Sequence, residues 1–555
     1  MSQRISRHFV RVRDREVHYR RVGEGPPLVV FHVSPQTSAF VVPHFLPIAD
    51  RFTIIGLDSP GFGGSDPLPM PFPTAADYGD AALEAMDALG IGRAAVYGAH
   101  TGAHIALELA NRHPARCALL VLDGLSINTA AEARERLERY APSFIPREDG
   151  SHLAWAWQHS RDQTLFAPWY LADQAHRLDS GVHDSETIHD IVLSKLAATN
   201  YSVGYRAAFS HEPRRAVTEI TVPAILLARA GDWRADLARK LAGLPACVSF
   251  LDVTSSNEVA KIGAAMAGMK ADPSVPPPPP VTARTALYRS YRQRGEGQRL
   301  IRRGAAAAGL PLVLLHDAMG GSRLLDARMR LLGVRRPVIA IDIAGNADSD
   351  PLPAADPGIA AFAADMLRTL DGEGVTRFDL YGEGLGAVLA LAIARDAPTR
   401  VRKLVLDRPV LASDDERADL LANFAPPMPA RWDGTHLITA WHMLRDGAMF
   451  WPWYRRTRTG VRWTEPEVEP VALQMRLIEW LKGKETYAAF ARAALSAPAD
   501  PLLLAAHPAL VLTGTDAIMA AYGQRAAAAL PQAQLAVSRA AGDTVAIGTF
   551  LDLHP

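Results

Sequence analysis

The residues best placed to do chemistry lie in Tyr97-Gly98-Ala99-His100-Thr101-Gly102-Ala103-His104. An apolar strand over residues 93–96 enters this stretch and an Ala/Leu-rich helix over residues 103–112 leaves it. A strand, a tight turn and a helix, with glycines flanking one position, present that position's side chain from a strained backbone. The residue presented is His100. An imidazole with an ordinary pKa of about 6.5 serves as general base or nucleophile near neutral pH, and histidine is enriched among residues at positive φ. His104, four residues on, could share a helix face with His100 as a metal ligand, but no further ligand pattern accompanies the pair, and no metal is assigned.

The flanking segments are what must hold His100 in place. Residues 28–31 form a continuous apolar run, as in a strand buried on both faces, and deliver the loop His32-Val33-Ser34-Pro35-Gln36. Residues 52–57 form another strand and run into Asp58-Ser59-Pro60-Gly61-Phe62-Gly63-Gly64-Ser65. Residues 8–19 alternate around Arg13-Asp14-Arg15 and predict an opening antiparallel hairpin. The elbow, a G-x-S-x-G pattern with histidine replacing serine, and the D-x-P-G-x-G-x-S loop together resemble the α/β-hydrolase family. That resemblance implies an α/β fold, a mostly parallel doubly wound sheet with a helical cap.

It also implies roles by position. The amides of Val33 and Thr101 would form an oxyanion hole, and Asp232, after the strand at residues 223–228, would be the catalytic acid. A histidine should follow the strand at residues 248–253, yet that strand leads to Thr254-Ser255-Ser256-Asn257-Glu258. Asp232 or Glu258 is then the carboxylate expected to orient His100. A serine triad works as a unit, so ordinary hydrolysis by that route is not expected. His32 reads either as a structural histidine fixing its loop or, with Ser34, as a substrate contact.

The chain is one unit written twice. His32 and His316, Asp66 and Asp350, Gly98 and Gly382, His152 and His436, Asp232 and Asp516 are each separated by 284 residues. We expect a first α/β-hydrolase-like domain over residues 1–270 with a cap at about 125–215. A proline-rich linker over 271–284, carrying Pro276 to Pro280, would act as an extended spacer. The second domain would cover 285–555 with a cap at about 410–500. Its elbow reads Gly382-Glu383-Gly384-Leu385-Gly386, with no side chain at the nucleophile position. It is similar to the elbow of the N-myc downstream-regulated proteins, which implies a non-catalytic copy.

Both caps carry the same aromatic and charged pattern. Asp149-Gly150-Ser151-His152-Leu153, Trp157, Arg161-Asp162, Phe166 and Pro168-Trp169-Tyr170 recur as Asp433-Gly434-Thr435-His436-Leu437, Trp441, Arg445-Asp446, Phe450 and Pro452-Trp453-Tyr454. One reading is packing within the cap. The other is a substrate pocket, with His152, Trp157, Arg161 and Trp169 facing a carboxylate or carbonyl compound.

Bulk properties narrow the partners. Lys plus Arg and Asp plus Glu both number 59, so no basic field attracts nucleic acid or an anionic membrane. No apolar run reaches the roughly 20 residues of a membrane span, and the Arg-rich start argues against a signal peptide, which together point to a cytoplasmic protein. No cofactor is assigned. The expected partner is a small-molecule substrate, with intramolecular pairing of the two domains and a possible homo-oligomer. Two functions follow. One is an enzyme of hydrolase or lyase type that uses His100 on a small carbonyl or ester compound. The other is a pseudoenzyme that binds a ligand or acts as a scaffold.

Overall fold

The computed structural model describes residues 4–229, 233–282, 286–304, 308–498, 502, 505–538 and 543–553. The chain forms two compact units. Unit 1 is Met1–Ile145 with Ala156–Val281, and unit 2 is Pro146–Trp155 with Thr282–Pro555. Ten residues from the first cap therefore group with unit 2, a departure that the sequence repeat did not signal.

Unit 1 is built on eight strands: β1 (Ser6–Val12), β2 (Arg15–Val22), β3 (Pro27–Phe31), β4 (Thr53–Leu57), β5 (Ala94–Ala99), β6 (Cys117–Asp123), β7 (Ala224–Arg229) and β8 (Val248–Val253). Their order in the sheet is β1-β2-β4-β3-β5-β6-β7-β8. The hairpin β1–β2 and its pairing to β4 are antiparallel, and every other pairing is parallel. Central strands are apolar on both sides because both faces are covered. Val29, Phe31, Val96 and Leu120 face a core that includes Tyr78 and Met86 of the helix Ala75–Ala88 and Leu109 of the helix Thr101–Arg112. Leu28, Val30, Ala95 and Val121 face the opposite core, with Phe45, Ile262 and Met266.

Unit 2 repeats this plan with β9 (Tyr288–Arg294), β10 (Gly297–Gly304), β11 (Leu312–Leu315), β12 (Val338–Ile341), β13 (Phe378–Glu383), β14 (Val401–Asp407), β15 (Ala509–Thr513) and β16 (Ala533–Val537). The order is β9-β10-β12-β11-β13-β14-β15-β16, again parallel beyond the first three strands. In each unit the chain leaves the sheet after the sixth strand for a helical excursion. In the first copy this includes the helices Ala130–Arg139, Ser151–Leu165, Ser185–Ala197 and Ser202–Phe209.

The segment expected to be an extended spacer starts out pinned. The Asp272 carboxylate accepts from the Gly92 amide at 2.5 Å, the Val275 carbonyl accepts from Arg21 at 3.0 Å, and Val275 itself is buried. Cys117 is buried and Cys247 half-buried, and both are free thiols. Among the described residues no helix is long and apolar enough to cross a membrane.

The elbow sets the tightest constraint on unit 1. A Cβ on Gly98 would lie 2.1 Å from the Gly102 carbonyl oxygen, and one on Gly102 would lie 2.4 Å from the Phe31 carbonyl oxygen. Backbone has nowhere to move there, so Gly102→Ala is expected to destabilise unit 1 by about 3 kcal/mol or prevent its folding. Gly181→Ala, whose added Cβ meets nothing within 4 Å, should be near neutral in the same urea titration. Equal transitions for the two variants would refute the crossing as the constraint.

Candidate functional site

His100 sits between the end of β5 and the helix Thr101–Arg112 with φ 48° and ψ −109°. A side-chain-bearing residue held there costs on the order of 1–3 kcal/mol, so the surrounding backbone must impose it. It does so from both sides. The His100 amide donates to the Asp123 carbonyl at 2.8 Å, and the Ala103 amide donates back to the His100 carbonyl at 2.9 Å. Beneath the turn, the Tyr97 hydroxyl donates to the Asp123 carboxylate at 2.6 Å. Arg229 bridges that carboxylate (2.8 Å) and Glu258 (2.6 Å). Burial alone would raise the Asp123 carboxyl, but the Arg229 guanidinium more than offsets it and holds the group below its ordinary value.

The imidazole of His100 is exposed and lines a cavity of about 320 Å³ together with Val33, Ser34, Thr101, Ser126 and Tyr140. The expected site residues divide around this cavity. Val33, Ser34 and Thr101 line it with His100. Asp232 lies outside the described residues. Glu258 does not line it: buried, it accepts from Arg229 and from His44 (3.4 Å), so its charge is committed to the ion cluster under the elbow.

His32 is tied into its own loop and does not line the cavity. It is buried, its Nδ1 donates to the Val33 carbonyl at 3.1 Å, and its Nε2 accepts from the Ser59 amide at 2.9 Å. Burial pushes its pKa down and keeps it neutral in that role. Trp157 is buried in its cap helix, and Arg161 is half-buried there; neither lines the cavity. Trp169 acts one layer back, donating to the Tyr140 carbonyl at 2.7 Å and meeting the His159 ring edge-on at 4.5 Å. His152 belongs to unit 2, where it packs edge-on against Trp441 at 4.9 Å.

The corresponding place in unit 2 holds the feature that sequence reasoning missed. Gly384 keeps the elbow conformation at φ 57°, and its amide donates to the Asp407 carbonyl at 2.9 Å. The Tyr381 hydroxyl donates to the Asp407 carboxylate at 2.6 Å, repeating the Tyr97–Asp123 pair. Two amides, those of Ala318 (2.8 Å) and Leu385 (2.7 Å), converge on one carboxylate oxygen of Asp317. A Cβ on Gly384 would lie 2.2 Å from the Asp317 carboxyl carbon. The glycine and the carboxylate are therefore one device: removing the elbow side chain makes the space that Asp317 fills. Asp317 stands where the first copy has Val33, Ala318 where it has Ser34, and Leu385 where it has Thr101. A signal was present in the sequence, since Asp317 appears at a position that is apolar in the other copy. The carboxylate borders a cavity of about 190 Å³ with Glu383, Arg408, Trp451 and Arg476 among its walls.

Comparison with known proteins agrees with this architecture. The family model described as alpha/beta hydrolase fold matches residues 26–150 and 311–545. Among curated relatives, proteins provisionally named carbamate hydrolase RutD are similar. That of Klebsiella pneumoniae (strain 342) is 36% identical over 100 residues, 18% of this chain and 37% of its own length. That of Caulobacter segnis is 34% identical over 105 residues, 19% of this chain and 39% of its own. The matched region thus spans well under half of those relatives. Among solved structures, the enol-lactonase from Burkholderia xenovorans LB400 superposes with a TM-score of 0.39 at 21% identity, covering 47% of this chain and 100% of that one. With two eight-stranded sheets, two positive-φ elbows and a family match in both halves, the chain belongs to the α/β-hydrolase fold family.

Proposed function

We propose that unit 1 is an enzyme of hydrolase or lyase type acting on a small carbonyl, ester or carbamate compound, with His100 as its reactive group. One observation carries this reading: a strained elbow aims an exposed imidazole into a cavity, beside the loop and amides that a hydrolase fold uses for an oxyanion. By the register of the two copies, the amide pair that converges in unit 2 corresponds to Ser34 and Thr101 here, one residue beyond the Val33 amide. The Ser34 and Thr101 amides are the pair we assign to a developing oxyanion. The relatives' names make carbamates and enol-lactones the first compounds to try, alongside simple esters.

The experiment compares the native protein, His100→Ala and buffer against a metabolite extract and that small panel, read by mass spectrometry. A compound consumed by the native protein and at least about 100-fold more slowly by the variant is the expected result. Equal consumption by both proteins would remove His100 from the chemistry. Retention without consumption would favour a binding protein.

Unit 2 supports the second reading, a binding or scaffold role, because Asp317 occupies its amide pair and its elbow carries no side chain. Burial holds the Asp317 carboxyl above its ordinary 3.8, at about 6, even though the Leu385 and Ala318 amides favour the anion. A carboxyl raised in the folded state binds more protons folded than unfolded between those two values. Its contribution to stability is fully present below about pH 4 and is lost as pH rises to about 6. Asp317→Asn keeps an oxygen for both amides and cannot ionise. It is expected to gain stability over the native protein across that window, reaching ~3 kcal/mol at neutral pH. Urea titrations of both proteins at about pH 4, 5, 6 and 7 measure this, and a pH-independent difference would contradict the assignment.

A further inference from the structure

Four polar side chains beside the elbow of unit 1 form a continuous chain that ends at the cavity. Glu108 accepts from His211 Nε2 at 2.7 Å. His211 Nδ1 and His104 Nδ1 are 2.8 Å apart, and His104 Nε2 is 3.0 Å from Ser126 Oγ. Ser126 lines the cavity with His100 and Thr101. His104 is buried, and burial with the neighbouring His211 depresses its pKa well below the ordinary value, so it stands neutral.

With a neutral His211, the carboxylate fixes the direction of every link. The Glu108 carboxylate accepts from His211 Nε2–H, and the Nδ1 of that neutral ring is bare. That bare nitrogen must accept from His104 Nδ1–H, which leaves His104 Nε2 bare. Ser126 Oγ–H is then the donor to His104. All three bonds point from the cavity toward Glu108, which is the polarity a serine nucleophile needs.

The duplicated copy shows that the fold does not require this chain. The positions of His104, Glu108 and Ser126 correspond, at the spacing of 284, to Val388, Ala392 and Val410. His211 corresponds to Ala497 once the cap is aligned on Tyr201 and Tyr487, whose hydroxyls donate to the carbonyls of Pro142 and Pro426. Val388, Ala392 and Val410 belong to the apolar core of unit 2, and Ala497 packs against it. One scaffold therefore closes with four apolar residues in one copy and four linked polar residues in the other. Buried polar groups cost stability unless each is paired, and here each link is paired toward one exposed end.

We propose that Ser126 is a catalytic nucleophile in unit 1, displaced from the elbow and activated by His104, with His211 and Glu108 as positioning residues. This rests on reading the unit 1 cavity as an active site and extends it to acyl transfer. Ser126 Oγ adds to the carbonyl carbon of an ester or carbamate, and the C=O electron pair moves onto oxygen. The hydroxyl proton passes to His104 Nε2 while the His104 Nδ1 proton passes to His211 Nδ1, leaving an imidazolium against Glu108. Collapse breaks the bond to the leaving oxygen, which takes its proton from His104 Nε2 as the His211 proton returns. Water then adds to the acyl-serine by the same path and releases the acid.

An alkyl fluorophosphonate tests this without knowledge of the natural substrate, because Ser126 Oγ would bond to phosphorus as fluoride leaves. The full-length protein, Ser126→Ala, His211→Ala and His100→Ala are treated with the probe, digested and mapped by mass spectrometry. His211→Ala introduces the residue that unit 2 already carries, and its fold is checked by circular dichroism. The expected result is an adduct on the Ser126 peptide, absent in Ser126→Ala and formed at least about 100-fold more slowly in His211→Ala. In ¹⁵N spectra of histidine-labelled protein, His104 should be the Nδ1–H tautomer and His211 the Nε2–H tautomer. No adduct on Ser126, an adduct instead on Ser160, which also lines the cavity, an unchanged rate in His211→Ala, or the opposite tautomers would overturn the proposal. An adduct on Ser126 with no metabolite consumed through His100 would sink the His100 reading alone, and consumption through His100 with no adduct would sink the relay alone.

Discussion

Both halves of this chain hang on one backbone crossing. The helix after the elbow passes so close to its own entering strand, and to the carbonyls that end β3 or β11, that no side chain fits at Gly98, Gly102, Gly382 or Gly386. That crossing forces the intervening residue to positive φ whatever its identity, histidine at 48° or glycine at 57°. Tyr97 with Asp123, and Tyr381 with Asp407, brace the turn from below in the same way. The geometry of a reactive site is thus inherited by the fold, and what the site can do is decided by which side chains are set into it.

The two copies have filled that common frame in opposite ways. In unit 1 an imidazole projects into the cavity, and a line of hydrogen bonds runs from Ser126 back to Glu108. In unit 2 the elbow side chain is gone and the Asp317 carboxylate lies against the two amides, while the counterparts of the relay are apolar core. Because both arrangements occupy one architecture within one chain, each serves as a control for the other. Features shared by the copies are those the fold needs; features held by one alone are candidates for function.

Much of this was legible in the sequence because it is local. The elbow, the β–turn–helix around it, the hairpin at Arg13-Asp14 and the duplication all depend on residues adjacent in the chain or on a fixed spacing, and strands β3, β4, β5, β7 and β8 lie where the apolar runs placed them. What was not legible depends on contacts across long separations. Glu258 looked available because its partner Arg229 lies 29 residues away at the end of β7, and the cap pattern left packing and pocket readings open because its packing partners are distant in the chain. Asp317 and Gly384 explain each other only when seen together, 67 residues apart. His104 read as a weak metal ligand beside His100; its actual neighbours, His211 and Ser126, are 107 and 22 residues away. Sequence offers the Val33 amide for the oxyanion and the register with unit 2 offers that of Ser34, since convergence of two amides on one point is a property of the folded loop.

On the function proposed above, the shared frame is open for chemistry in unit 1 and closed in unit 2. A crystal structure of the protein soaked with a small alkyl boronic acid, which takes a tetrahedral anionic form on an activated oxygen or nitrogen nucleophile, tests it most directly. Density is expected in the unit 1 cavity, bonded to a residue there and with a boronate oxygen facing the Ser34 and Thr101 amides. The Asp317 carboxylate is expected to stay on the Ala318 and Leu385 amides. Boronate seated on those two amides with Asp317 displaced, or the unit 1 amides turned away from a bound ligand, would contradict it.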